Sequence, residues 1–198
     1  MNQEHHLELC VTPLWPAVLL DFFASADPEA VANEVYNLRA ADPKGRLKSN
    51  FGGWQSKIIH APKFEDVLPA VSSVRQVCSQ AVSEACLHQW PHEPREVTMC
   101  QWWANINKPG EDFNVNHHHG DAYMSAVYYA QVPEDPGKLL LESPIIHGNS
   151  AWHGIKHFTP KAGQVLMFPG SYRHMVLPTV STEGKDRISI AFNFDIDD

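Results

Sequence analysis

A chain of 198 residues, 43% hydrophobic and 19% charged, is long enough to bury a substantial core and too apolar to be disordered. Its net charge of −8 argues against broad binding to nucleic-acid phosphates. No apolar run approaches the roughly 20 residues needed to span a bilayer, and Met1–His6 lacks the basic and apolar regions of a signal peptide, so a cytoplasmic protein without membrane contact is expected.

Residues 8–14 read as a first strand ending at Pro13. Asp27-Pro28 is a helix start, with Asp as N-cap and Pro at the first helical position. That helix carries Val31, Val35 and Leu38 inward and stops before Asp42-Pro43. Residues 44–56, rich in Gly, Ser and Asn, read as a loop holding Trp54. From Glu65 to His88 the apolar positions 67, 68, 71, 74, 78, 81, 82 and 85 follow a helical period, with Pro69 tolerable in the first turn. Cys78 and Cys86 belong to this pattern and read as small core residues. With Cys10 and Cys100 they form no Cys-x-x-Cys pair, and neither a disulfide nor a zinc site is expected.

After Pro94 the pattern becomes β-rich. Strands are predicted at 97–107, 122–132, 138–142, 164–168, 173–178 and 187–194, separated by Pro- and Gly-bearing turns, with a loop at 143–158. Two helices followed by six or more short antiparallel strands imply a mainly β fold, a barrel or jelly roll buttressed by N-terminal helices. One domain is expected over 1–198, with a strand and supporting helices in 1–94 and the β core in 95–198.

In Asn116-His117-His118-His119-Gly120-Asp121 three histidines and an aspartate put four possible metal ligands within five residues, and His174 follows 55 residues after His119. Imidazole and carboxylate hold Fe(II) while leaving positions open for chemistry. On an extended segment 117, 119 and 121 share one face. Two of these three can grip one ion, and His174 can complete the triad from another strand. By the same alternation His118 points away. His147, His153 and His157 read as solvated loop residues or as the rim of a substrate entrance. In the last strand Ile188, Ile190 and Phe192 pack outward, while Arg187, Ser189, Ala191 and Asn193 face the interior. An interior Arg is costly unless it meets an anion. Its fork of donors suits a carboxylate, with Ser189 as a further donor.

These residues carry a resemblance. Ser49 to Ser56, Trp103 to Asn107, His117-x-His119, Met124 to Tyr129, Val132-Pro133, Gly163 to Pro169, His174 and Arg187 to Asn193 together resemble the Fe(II)- and 2-oxoglutarate-dependent oxygenases. Within them they resemble a bacterial and phage group with a His-x-His motif. The resemblance implies a double-stranded β-helix, Fe(II) and 2-oxoglutarate as cofactors, oxygen as co-substrate, and a small-molecule or peptide substrate. The usual metal motif is His-x-Asp/Glu with a distant His, which His119-Gly120-Asp121 spells. The narrower group's motif matches His117-x-His119, and the distances along the chain to Gly110 and Tyr128-Tyr129 fit that register better. The favoured ligands are then His117, His119 and His174, with Asp121 as a replacement or an outer carboxylate. Arg187 would bind the distal carboxylate of 2-oxoglutarate with Ser189, while Asn105 and Tyr128 or Tyr129 would touch the cosubstrate. Residues 49–56 would form part of a substrate lid. The expected reaction is hydroxylation of an unactivated C–H bond. A three-histidine cupin-type dioxygenase without 2-oxoglutarate and a non-enzymatic metal-binding barrel are the alternatives. The oligomeric state stays open, a homodimer included.

Overall fold

The computed structural model describes residues 10–14, 17–60, 68–89, 95–144 and 154–197. Strand β1 (Cys10–Leu14) is followed by β2 (Ala17–Phe23) and helix α1 (Pro28–Ala41). Three two-residue strands come next: β3 (Asn50–Phe51), β4 (Trp54–Gln55) and β5 (Ile59–His60). Helix α2 (Pro69–Gln89) precedes β6 (Val97–Asn107), β7 (Phe113–His117), β8 (Met124–Gln131) and β9 (Leu139–Glu142). The chain continues through β10 (Ile155–Phe158), β11 (Gln164–Pro169), β12 (His174–Val176) and β13 (Arg187–Ile196).

Helix α1 starts where its cap predicts. The Asp27 carboxylate accepts from the Glu29 N–H at 3.0 Å, satisfying one of the first turn's free donors. Val31, Ala32 and Val35 are buried, and Leu38 packs against the same core. In α2 the predicted face is buried at Val71, Val74, Cys78, Ala81, Val82 and Ala85; residues 65–67 of the expected span lie outside the described residues.

The strands form two antiparallel sheets. The larger runs β1-β2-β11-β8-β13-β6-β4, with β5 also paired to β6, and the smaller runs β10-β9-β12-β7-β3. This is the mainly β, helix-supported double-stranded β-helix. The larger sheet is covered on both faces. Trp102, Ala104, Ile106, Ile188, Ile190, Phe192 and Phe194 meet the helices in one core, while Tyr129, Leu166 and Phe168 meet Leu139, Leu141 and Val176 of the smaller sheet in another.

That double coverage accounts for the differences from expectation. Strand β2, Ala-Val-Leu-Leu-Asp-Phe-Phe, shows no alternation because Leu20 and Phe22 face the helices and Leu19 faces the smaller sheet. It was not predicted, and the 8–14 segment is one arm of a hairpin. The expected loop at 44–56 contains β3 and β4, and that at 143–158 contains β10, each too short to show a period. Among the described residues no helix is long and apolar enough to cross a membrane.

Candidate metal centre and anion pocket

His117 ends β7 and His174 begins β12, and the two are direct cross-strand partners. Backbone pairing alone therefore puts the two rings together, with centroids 4.3 Å apart. His119 lies two residues beyond β7. Its N–H donates to the Gly170 carbonyl at 2.8 Å, in the turn that feeds β12. Gly170 has no room for a side chain, because a Cβ there would collide with the Ala122 carbonyl. One ring nitrogen from each of His117, His119 and His174 falls in a group within 4.8 Å, an arrangement that could hold a metal ion.

The ring orientations suit that role. His117 Nδ1 lies 2.7 Å from the Val115 carbonyl and His174 Nδ1 lies 3.0 Å from the Tyr172 carbonyl. A carbonyl only accepts, so both Nδ1 atoms carry the proton and both Nε2 lone pairs are free. His119 Nδ1 faces Ser125 Oγ at 2.6 Å and Asn193 Oδ1 at 2.8 Å. Burial, and then the neighbouring imidazoles, push all three histidines toward the neutral, metal-binding form. His119 falls to about 4 and His174 lies well below the ordinary value; burial also lowers His117, against the pull of the Val115 carbonyl. Trp103 meets the His119 ring edge-on at 5.0 Å and Phe168 meets His174 at 4.9 Å, which keeps two sides of the group apolar.

The cleft between the sheets continues from these histidines to Arg187, Ser189, Asn105 and Tyr129. Arg187 is 1% exposed. Its Nη1 reaches Ser189 Oγ at 3.4 Å and its Cζ stands 5.0 Å from the Tyr129 ring centroid. Nε and Nη2 are buried and meet no hydrogen-bond acceptor. Burial lowers the guanidinium's pKa, partly offset by the Tyr129 phenol, and pushes Tyr129 up to about 12. No ion pair neutralises Arg187 among the described residues. A buried cation with two idle donors is costly by itself, and a carboxylate guest would supply what is missing.

The donor set fits a divalent first-row metal with open positions, and the idle guanidinium fits a carboxylate cosubstrate. Asn105, 7% exposed, is the cross-strand partner of Ser189 and lines the same cleft. Tyr128 departs from its expected place. Its neighbour Tyr129 takes the inward position, so Tyr128 points into the helix-side core with its hydroxyl 3.5 Å from the Ala26 carbonyl. Asp121 is exposed and belongs to no ligand cluster among the described residues. His118 is exposed and accepts from the Gly120 N–H, and His157 is exposed on β10. His147 and His153 lie outside the described residues. The expected lid divides: Ser49 lines the cleft, whereas Trp54 pairs with Ile106 and donates from Nε1 to the Asp42 carbonyl at 2.9 Å. Sequence reasoning gave no role to Asn193 or Ser125. Asn193 shares the inward parity of Arg187 and Ser189, and that parity was the available signal.

Residues 101–193 match the family described as "Putative 2OG-Fe(II) oxygenase". A Pseudomonas putida prolyl-4-hydroxylase is similar in structure, with 20% identity, TM-score 0.57 and 86% of each chain covered. A Trichoplax adhaerens prolyl hydroxylase, in complex with a hypoxia inducible factor peptide fragment, has 16% identity and TM-score 0.58, covering 94% of this chain and 82% of its own. The α-ketoglutarate-dependent epimerase SnoN from nogalamycin biosynthesis has 11% identity and TM-score 0.54, covering 89% and 77%. No curated protein matches the chain. Residues 101–193 are thus similar to the 2OG-Fe(II) oxygenases, a likeness that implies Fe(II) and 2-oxoglutarate as cofactors.

Proposed function

We propose that the chain is a 2-oxoglutarate-dependent dioxygenase that hydroxylates an unactivated C–H bond of a small-molecule or peptide substrate, converting 2-oxoglutarate to succinate. One observation carries this reading. Three imidazole nitrogens within 4.8 Å of one another share a cleft with a buried, anion-seeking guanidinium. When bound, Fe(II) and 2-oxoglutarate supply oxygen activation and the electrons that hydroxylation requires.

In this reading His117, His119 and His174 hold the metal through Nε2, and Asp121 takes no part. Arg187 grips the distal carboxylate of 2-oxoglutarate, with Ser189, Tyr129 and Asn105 as hydrogen-bonding neighbours. Trp103 and Phe168 keep water from the reacting centre, which strengthens the electrostatic contacts inside. The peptide bound to the Trichoplax relative supports a peptide as one class of substrate.

The test is succinate formation from 2-oxoglutarate with Fe(II) and oxygen. Iron-loaded protein that yields no succinate, even in slow substrate-free turnover, would count against the reading. The ligand set without a carboxylate favours a three-histidine dioxygenase independent of 2-oxoglutarate as the second reading, and oxygen consumption without succinate would select it.

A further inference from the structure

We infer that Asn193, seated by Ser125, is the positioning residue that makes His119 able to bind a metal. The inference rests on the reading of His117, His119 and His174 as ligands. Two of these histidines are oriented locally, by a main-chain carbonyl two residues back. His119 is not. Its Nδ1 reaches two side chains from distant strands, Ser125 on β8 and Asn193 on β13.

These three atoms form a closed triangle, because Ser125 Oγ also lies 3.0 Å from Asn193 Oδ1. Two protons must serve three short contacts. The serine hydroxyl donates to the amide oxygen, which has no proton of its own. If His119 Nδ1 were bare, it would face Asn193 Oδ1 at 2.8 Å, lone pair against lone pair. With the proton on Nδ1 both contacts at the amide oxygen become hydrogen bonds. The triangle therefore selects the tautomer that keeps the proton on Nδ1 and leaves the Nε2 lone pair as the one able to ligate.

Burial makes the selection firm. Asn193 is 2% exposed and Ser125 is fully buried, so water does not compete for either group. The two are cross-strand partners, and β13 shifts register against β6 immediately after Asn193. Such an irregularity is a common way to aim one side chain. The chemistry also explains why the device belongs to this position. A carboxylate ligand at residue 119 would present an oxygen whatever its neighbours. An imidazole ligates at Nε2 only when its proton is held on Nδ1, so a histidine here needs a dedicated acceptor.

The experiment titrates the full chain with Co(II), reading calorimetric affinity and the visible Co(II) spectrum. Asn193→Ala is expected to weaken Co(II) 10- to 100-fold and to alter the spectrum. Asn193→Asp, which still accepts, is expected to bind at least as tightly as wild type. Ser125→Ala, which leaves the amide oxygen available to Nδ1, is expected to cost less than Asn193→Ala. In a His119→Asp background, where no ring proton needs an acceptor, Asn193→Ala is expected to lose its effect. Asn193→Ala binding within about twofold of wild type overturns the inference alone, since the ligand reading then stands. A folded Asn193→Asp as weak as Asn193→Ala also overturns it, because the amide would then be donating to the ring. If Asn193→Asp does not fold, the His119→Asp cycle decides, and an undiminished Asn193→Ala effect there overturns it. Wild type that binds no Co(II) overturns both the inference and the ligand reading.

Discussion

At the scale of single residues, Arg187 carries the cosubstrate assignment. Losing one partner of a buried charge pair costs about 2–5 kcal/mol, roughly 30- to several-thousand-fold in affinity. Arg187→Met is therefore expected to raise the 2-oxoglutarate requirement steeply while leaving Fe(II) binding nearly intact, because the guanidinium is no ligand. Superimposed 2-oxoglutarate titrations of wild type and variant, followed by succinate, would remove Arg187 from that role. The metal register has its own comparison. His117→Ala should damage iron binding as badly as His174→Ala, whereas Asp121→Ala, at an exposed position, should bind iron like wild type. Tight iron binding by His117→Ala together with loss in Asp121→Ala would reverse the assignment. Arg187's inward face was legible from alternation along the last strand. The choice between Tyr128 and Tyr129 was not. Adjacent strand residues must face opposite ways, but which one faces inward depends on the pairing of Ser189 with Tyr129 and of Ile190 with Tyr128. The Asn193–Ser125 pairing was likewise hidden, since no spacing connects a β8 serine to a β13 amide.

At the scale of elements, both helices were legible because capping and a 3.6-residue period are local signals. Asp27→Ala should cost α1 about 1 kcal/mol, readable as a lowered midpoint in urea unfolding; an unchanged midpoint would mean that packing alone sets the helix start. Strands β6 and β13 were equally plain. The short strands β3, β4, β5 and β10 were not, because two to four residues cannot display a period. Strand β7, with its burial pattern alternating only weakly, also passed unnoticed as a strand although its last residue was the first ligand candidate. The Gly52-Gly53-Trp54 segment had suggested a moving lid. In the fold Trp54 is tied to β6 and to the Asp42 carbonyl, and it packs against the helix-side core. Trp54→Ala is accordingly expected to lower stability by about 2 kcal/mol, less than a fully buried Trp would. It should leave the ratio of succinate to oxidised product unchanged. A stable variant with uncoupled turnover would restore the lid.

At the scale of the molecule, the site couples folding to pH. A histidine whose pKa is lower in the folded chain than the roughly 6.5 of the unfolded one leaves the unfolded chain the stronger proton binder between those values. Stability then rises with pH across that window and is lost as pH falls. For His119, held near 4, the loss between pH 7 and pH 4 is on the order of 2–3 kcal/mol, and His117 and His174 shift the same way. Chelator-treated protein should therefore melt progressively lower from about pH 6.5 downward. A melting temperature independent of pH over that range would show that the histidines remain open to water. The two-sheet architecture itself was legible from the order of helices and strands, but the wrapping of both faces of the larger sheet was not, because it depends on long-range pairing. Depth along the cleft has a kinetic consequence. His117 and His119 are partly exposed, whereas Arg187 and Tyr129 at the far end are almost wholly sealed. If the cleft is entered past the partly exposed His117 and His119, a molecule seated over them closes the way to the guanidinium. Addition should thus be ordered, with the dicarboxylate arriving first and the oxidised substrate second. An unreactive dicarboxylate analogue should then be competitive against 2-oxoglutarate, and an inert substrate mimic should be uncompetitive against it, since the mimic has nowhere productive to sit until the deeper guest is in place.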